Sequence, residues 1–333
     1  MSIFKKTILL LLLLPTVLLV IIPHSTASVA SYLTPVTLAV IPITLLNAFL
    51  TVWEFHKHSR WTWLFAIAFL VSGWQVSETM GFGISSRKVH SEMFPIRIVS
   101  WNVRDFQLKS ETLLKASNVL LAEKPDILCF QERPHTNLLA WDTIKAAFPD
   151  YPYTAINSRE DEVLNLAILS RWPVSGLKEF YFPESYNKII QADIHIGKQT
   201  IRLFNVHLQT TGVTPGMERK NVIQIMQKHA LKRNKQAQLL HEAIQSSPYP
   251  VLVCGDFNDV PSSFAYTQVS QGLRDCFKEA GYGWGNTYQS LGNLFRIDYM
   301  LCSKQSVVTD YNLISNSWSD HKIQCATIYY PSN

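Results

Sequence analysis

Between Ser25 and Trp53 the chain carries no charged side chain. No other stretch limits its possible folds so strongly. Two shorter apolar runs flank it. Thr7 to Ile22 is almost wholly aliphatic and follows Lys5 and Lys6, and Trp61 to Ser77 is uncharged and opens on Trp61 and Trp63. Tryptophans at that position suit a membrane–water interface. A bilayer core requires about 20 apolar residues, with a floor near 17, and soluble cores rarely supply charge-free runs so closely grouped. The sequence therefore predicts a membrane region over 1–84 with three transmembrane helices, 7–22, 31–53 and 61–77. The first run also reads as a cleavable signal peptide, with basic residues, an apolar stretch and then Ser-Thr-Ala-Ser-Val-Ala. Under the positive-inside rule Lys5, Lys6 and the His56–Arg60 loop lie inside. Either reading places residues 91–333 outside the cytoplasm, on the periplasmic side of an inner membrane. Arg87 and Lys88 oppose that orientation.

The formal net charge of +5 belongs mostly to this region. Residues 1–88 hold six basic and two acidic side chains, and the remainder holds 24 and 23. The net charge therefore does not argue for a generally basic nucleic-acid-binding surface. Locally, Met217 to Gln245 is a long helical stretch carrying Arg219, Lys220, Lys228, Lys232, Arg233 and Lys235 against Glu218 and Glu242. A solvated helix face is the plainer reading of it, nucleic-acid contact the sharper. The five cysteines are odd in number, show no metal-ligand spacing, and lie mostly in apolar strand-like runs, which predicts buried free thiols.

After a polar linker over 85–95 the periodicity changes. Arg97–Val103 and Asp126–Glu132 read as strands around an amphipathic helix, Ser110–Lys124, which Pro125 stops. A further helix is expected over 137–148. Strands are expected at Tyr153–Ile156, Leu166–Ser170, Ile189–Ile196, Thr200–Leu208, Val251–Phe257, Gly272–Phe277, Arg296–Ser303, Val307–Ile314 and Lys322–Tyr330. The Ile189 and Thr200 runs flank Gly197-Lys198 as a hairpin. Many strands with interspersed helices predict an α/β (α+β) domain over 96–333.

Several of these runs end on a polar side chain able to meet metal or phosphate. Val251-Leu-Val-Cys-Gly leads to Asp256 and Asn258, which point the same way on an extended backbone. Ile-Val-Ser-Trp leads to Asn102, Ile-Leu-Cys-Phe-Gln to Glu132, and Arg-Leu-Phe-Asn-Val to His207. Asp298 opens the Tyr-Met-Leu run, and Asp320-His321 precedes the last strand. Each has a plainer reading as a turn residue, a solvated strand end or a satisfied core histidine. Together they form a set of carboxylates, amides and imidazoles. Hard oxygen donors favour Mg²⁺ or Mn²⁺ over zinc, and such a set suits phosphoryl transfer to water.

The pieces Ser-Trp-Asn-Val, Pro-Asp-Ile-Leu-Cys-Phe-Gln-Glu, Leu-Ala-Ile-Leu-Ser-Arg-Trp-Pro-Val, Asn-Val-His-Leu, Gly-Asp-Phe-Asn-Asp, Arg-Ile-Asp-Tyr and Ser-Asp-His stand in that order. This pattern resembles the endonuclease/exonuclease/phosphatase superfamily, with the fold of pancreatic deoxyribonuclease. With its apolar leader, the chain is similar to membrane-anchored bacterial members. The resemblance implies two mixed sheets packed as a sandwich flanked by helices. It implies that Glu132 holds the metal, helped by Asp320 and positioned by Asn102. It gives Asp256 the attacking water, Asn258 and His207 the phosphate oxygens, and His321, oriented by Asp298, the developing charge. The chain departs from the repair enzymes of that family at Arg104, where an acidic residue is usual, and at Asn165, where a small one is. Glu160, Asp161 and Glu162 are candidates for an acidic partner of His207. Arg233 and Gln236 occupy places where related enzymes have a structural Arg and Gln.

The expected activity is hydrolysis of a phosphodiester or phosphomonoester, first of nucleic acid or nucleotides. The alternatives are a phospholipid or sphingomyelin-type phosphodiesterase, or a catalytically idle membrane-tethered binding module. Aromatics in Gly281–Tyr288 either line a substrate pocket or fill a loop. No protein partner is inferable.

Overall fold

The computed structural model describes residues 3–83, 88–134, 139–159, 163–213 and 217–332. Its helices are α1 (Ile3–Ile21), α2 (Ala27–Leu38), α3 (Val40–His56), α4 (Trp61–Ser77), α5 (Ser110–Ala122), α6 (Trp141–Ala146), α7 (Arg219–Gln245), α8 (Phe264–Ser270) and α9 (Cys276–Ala280). Its strands begin with β1 (Met80–Phe82), β2 (Met93–Asn102), β3 (Ile127–Arg133), β4 (Tyr153–Ile156), β5 (Asn165–Ser170), β6 (Val174–Tyr181) and β7 (Lys188–Ile196). They continue with β8 (Gln199–His207), β9 (Val251–Asp256), β10 (Leu273–Asp275), β11 (Tyr282–Trp284), β12 (Asp298–Ser303), β13 (Val307–Ile314) and β14 (Ile323–Pro331). The chain forms two compact units. One comprises Met1–Met80, Thr210–Gln238 and Asp259–Val269, the other Gly81–Gln209, Leu239–Asn258 and Ser270–Asn333.

In the first unit, α1, α3 and α4 bury a polar cluster beside an apolar one of Leu9, Leu50 and Phe65, and are apolar outside. Asn47 donates to Thr16 Oγ1 (2.8 Å) and Ser72 Oγ (3.1 Å), all three buried. Leu11, Trp63, Leu70 and Trp74 are exposed. The helix expected over 31–53 is instead two helices, α2 and α3, bent by 60° at Ala39. Pro42, in the first turn of α3, has no N–H to offer Leu38, and its ring crowds that carbonyl, which favours a break there. The small residues Ala27, Ala30, Ser31, Thr34 and Thr37 form the buried face of α2. Phe264 packs there, and Asn234, Gln227 and Ser262 donate to the carbonyls of Ala27, Tyr32 and Thr37. Among the described residues one helical stretch, Lys6–His24, is long and apolar enough to cross a membrane. The bent pair would add a second if it counts as one span, and Trp61–Ser77 is shorter. On α7, Arg233 is buried, with its Nε 2.8 Å from Asp259.

The second unit holds two six-stranded mixed sheets, ordered β10-β12-β9-β8-β7-β6 and β13-β14-β2-β3-β5-β4. Alternation along each strand sets the layers. Ile96, Ile98, Ile127, Cys129, Leu203 and Cys254 belong to the core between the sheets. Val99, Trp101, Leu128 and Phe130 turn the other way and pack with Leu113, Leu120 and Ile144 of α5 and α6. Each sheet has one parallel pair, β2–β3 in one and β8–β9 in the other. Parallel strands need a crossover, which α5 and α7 provide. The β7–β8 hairpin turns at Gly197-Lys198 as expected. All five cysteines are buried free thiols.

Three local expectations change. Gly272–Phe277 is not one strand. The Asp275 carboxylate accepts from the N–H groups of Phe277 (3.0 Å) and Lys278 (3.3 Å), capping α9 and ending β10. The helix expected over 137–148 is described only over Trp141–Ala146, and residues 137 and 138 lie outside the described residues. The edge strand β6 was not expected, because its exposed face and Gly176 carry no alternating apolar pattern.

Candidate active site

The two parallel pairs deliver the polar side chains at their carboxyl ends. Asn102 closes β2, and Glu132 follows Gln131, the residue that pairs with Asn102. A register shift between Phe130 and Arg133, with Glu132 at φ +52°, re-aims that carboxylate. Bulges and left-handed backbone of this kind concentrate at functional sites. In the other sheet His207 and Asp256 are register partners, and Asp298 pairs with Asp256 from the far side. Gly255 makes this approach possible. At its φ of +132° an added Cβ would lie 2.1 Å from the Val206 carbonyl oxygen.

Six of the eight expected site residues meet around Asp256. Asn102 Nδ2 donates to Glu132 Oε1 (3.0 Å) and to Asp256 Oδ2 (3.2 Å). His207 Nε2 lies 3.6 Å from each of the same two oxygens. His321 Nδ1 donates to the Asp298 carboxylate at 2.9 and 3.1 Å, and its Nε2 is 3.7 Å from Asp256 Oδ2. Asp320 stands at the rim, 3.8 Å from an Arg104 nitrogen, and its charge raises the pKa of Glu132. Asn258 adopts φ +53° and donates its backbone N–H to Asp256 Oδ1 (2.7 Å). Its side-chain amide donates to the Leu208 carbonyl (3.0 Å), which leaves one amide hydrogen for another acceptor.

Burial and crowded charge set the electrostatics. Burial pushes the Asp256 carboxyl up to about 8, and the Asp298 charge adds to it. Burial also raises Glu132. Burial opposes charge on His321, but Asp298 and Asp256 outweigh it and raise the imidazole to about 10. Burial and the His321 charge push His207 down to about 3. At neutral pH the site therefore pairs a cationic imidazole with a neutral one.

The donors fit a hard divalent cation. Glu132 and Asp256 bring two carboxylate oxygens onto one amide, and neither ring nitrogen of His207 has a hydrogen-bond partner among the described residues. Ligand atoms of Asp256, Asp298 and His321 also lie within 4.8 Å of one another. However, Asp298 is hydrogen-bonded to the His321 ring, and a protonated ring cannot ligate. The trio is better read as an ion pair beside a carboxylate.

Sequence reasoning passed over the residues that hold these groups. Thr287 Oγ1 accepts from the N–H groups of Ile297 and Asp298, both 3.0 Å. Ser319 Oγ donates to the Asn102 carbonyl (2.8 Å) and accepts from the His321 N–H (3.0 Å). Lys188 is buried opposite His207 in the β7–β8 register. A Thr in a glycine-rich loop or a Lys at a strand start carries no distinguishing spacing. Of the loop aromatics, Tyr288 packs on the His321 ring, centroids 5.2 Å apart. Glu160, Asp161 and Glu162 lie outside the described residues.

An α/β sandwich flanked by helices, with an acidic rim at the ends of its parallel strands, defines the class of protein. Residues 99–321 match the Endonuclease/Exonuclease/phosphatase family, and the chain belongs to it. Members of this family are typically hydrolases of phosphoester bonds and generally depend on divalent metal. Solved structures share the fold. An endonuclease/exonuclease/phosphatase family protein from Bacteroides thetaiotaomicron is 18% identical with a TM-score of 0.56, the match covering 72% of this chain and 98% of that one. TDP2 from C. elegans is 19% identical (TM-score 0.56; 71% and 76%). The human Nocturnin catalytic domain, solved with bound sulfate anion, is 18% identical (TM-score 0.52; 71% and 95%). A search of curated proteins gave no match.

Proposed function

We propose that the protein is a membrane-tethered, Mg²⁺- or Mn²⁺-dependent phosphoesterase that cleaves phosphodiester or phosphomonoester bonds of nucleotides or nucleic acid. One observation carries the reading: Asp256 lies between the Asn102–Glu132 pair and the Asp298–His321 pair. Glu132, with Asp320 and positioned by Asn102, would hold the metal. When bound, the metal supplies positive charge against the phosphate oxygens. Asp256 orients the attacking water and, in its carboxylate form, takes the proton; with the carboxyl raised to about 8, that form accumulates as pH rises toward that value. His207 and the remaining amide hydrogen of Asn258 donate to non-bridging oxygens. The His321 imidazolium donates a charge-assisted bond to the negative charge that builds in the transition state.

A phospholipid or sphingomyelin-type substrate is the second reading, favoured by the apolar exterior of α1, α3 and α4, which would hold the protein beside headgroups. The test is a panel of nucleotide, oligonucleotide and headgroup phosphodiesters presented to the full-length protein, with and without Mg²⁺. Asp256→Ala should lower kcat by about 10²–10⁴ with the circular dichroism spectrum unchanged. Undiminished hydrolysis by the variant would refute the chemistry.

A further inference from the structure

Arg104 is a cation beside the rim residue Asp320 that the roles above leave unused. Its side chain is 60% exposed and its guanidinium stands 3.8 Å from Asp320, beyond a close ion pair. Its charge also acts on Glu132 and on the Tyr288 hydroxyl, lowering both. The backbone beneath it is fixed. The Arg104 N–H donates to Asn102 Oδ1 (3.2 Å), so the amide that gathers Glu132 and Asp256 also anchors this turn. Residues 104–108 are all left-handed, with φ between +46° and +56°. Phe106, fully buried edge-to-face against Trp101 and Phe130, and Gln107, donating to the carbonyls of Ser317 and Trp318, hold that conformation. A long cationic side chain is thus displayed from a turn held by Phe106, Gln107 and Asn102, more than half in solvent.

We infer that Arg104 determines specificity by gripping a second anionic group of the substrate, a phosphate or carboxylate adjoining the phosphate that is cleaved. The inference rests on the phosphoesterase reading of the site. Guanidinium binds such groups through two parallel hydrogen bonds. Asp320 holds it loosely until the substrate arrives. A quaternary-ammonium headgroup meets the same cation and is repelled, so the residue favours nucleotide-like esters over phosphocholine ones.

The test compares thymidine 3′,5′-bisphosphate with thymidine 5′-monophosphate by calorimetry. It uses the full-length protein in detergent with Mg²⁺, in an Asp256→Asn background that suppresses turnover. With Arg104 present the bisphosphate binds about tenfold tighter. Arg104→Ala removes that preference while monophosphate affinity stays within about twofold, and Arg104→Lys restores part of it. A preference that survives Arg104→Ala, an equal loss for both ligands, or binding of neither overturns the inference. Hydrolysis of bis(p-nitrophenyl) phosphate by the wild type reports on the hydrolase reading separately. Activity with an Arg104-independent preference sinks only Arg104, and inactivity with an Arg104-dependent preference sinks only the hydrolase reading.

Discussion

His321 and Asp256 are shifted in the same direction with opposite consequences. The folded imidazole titrates near 10 against an ordinary value of 6.5. Its contribution to stability is fully present below about 6.5 and is lost as pH rises through about 10. The Asp256 carboxyl, raised from 3.8 to about 8, costs stability as pH climbs between those values. Hydrolysis that depends on the imidazolium should therefore have an alkaline limb near 10. Asp298→Asn removes the largest charge holding that proton, so a pH–rate profile of the variant should show the limb lower by about 1–3 units. An unmoved limb would mean that another group titrates there. At this scale the sequence displayed the right residue types, each at the end of an apolar run. The family resemblance already gave Asp298 as the group that orients His321, and the 2.9 Å contact to Nδ1 agrees with it; which ring nitrogen it meets depends on side-chain direction, which spacing does not carry.

Among elements, the strand ends carry most of the design. β8 and β9 come close enough to pair only because Gly255 has no side chain. Gly255→Ala must adopt a conformation that L residues avoid, costing about 1–3 kcal/mol, and must also displace the Val206 carbonyl. A urea melt should show at least that loss, with activity lowered as Asp256 moves. Wild-type stability in the variant would mean the strands do not approach as described. The left-handed turn over 104–108 costs roughly 1–2 kcal/mol per residue, which burial of Phe106 helps to offset. Strands that alternate or run apolar were legible in the sequence, and so was α5. β6 was not, because it lies at an edge and buries little. α9 was not, because a single capping carboxylate, Asp275, overrides a strand-like run.

For the whole molecule, the apolar exterior of α1, α3 and α4 and the polar cluster they bury matter most. Trp63 is 76% exposed and Trp74 69%, while Asn47 is 1% exposed among helices. Water would penalise such a surface, but lipid would not, since membrane helices associate through small and polar residues. We predict that the full-length chain stays in the membrane pellet after alkaline carbonate extraction. A C-terminal phosphatase reporter, active only outside the cytoplasm, should be active. Release into the supernatant would refute the anchor, and a silent reporter the orientation. The sequence made the apolar runs plain but not the break at Ala39, since proline also stands inside unbroken helices here, Pro15 in α1 and Pro35 in α2.

Composition and periodicity alone determined that an apolar leader precedes an α/β domain, and which polar residues close its strands. Both follow from local rules, since charge-free length and alternation can be read along one chain. Tertiary structure decided that Asn102, Glu132, His207, Asp256, Asp298 and His321 share one rim. It also decided that Thr287 and Ser319 hold them and that Arg104 stands beside Asp320. Those relations depend on register between strands far apart in sequence and on the rotation of each side chain, and neither leaves a spacing signal.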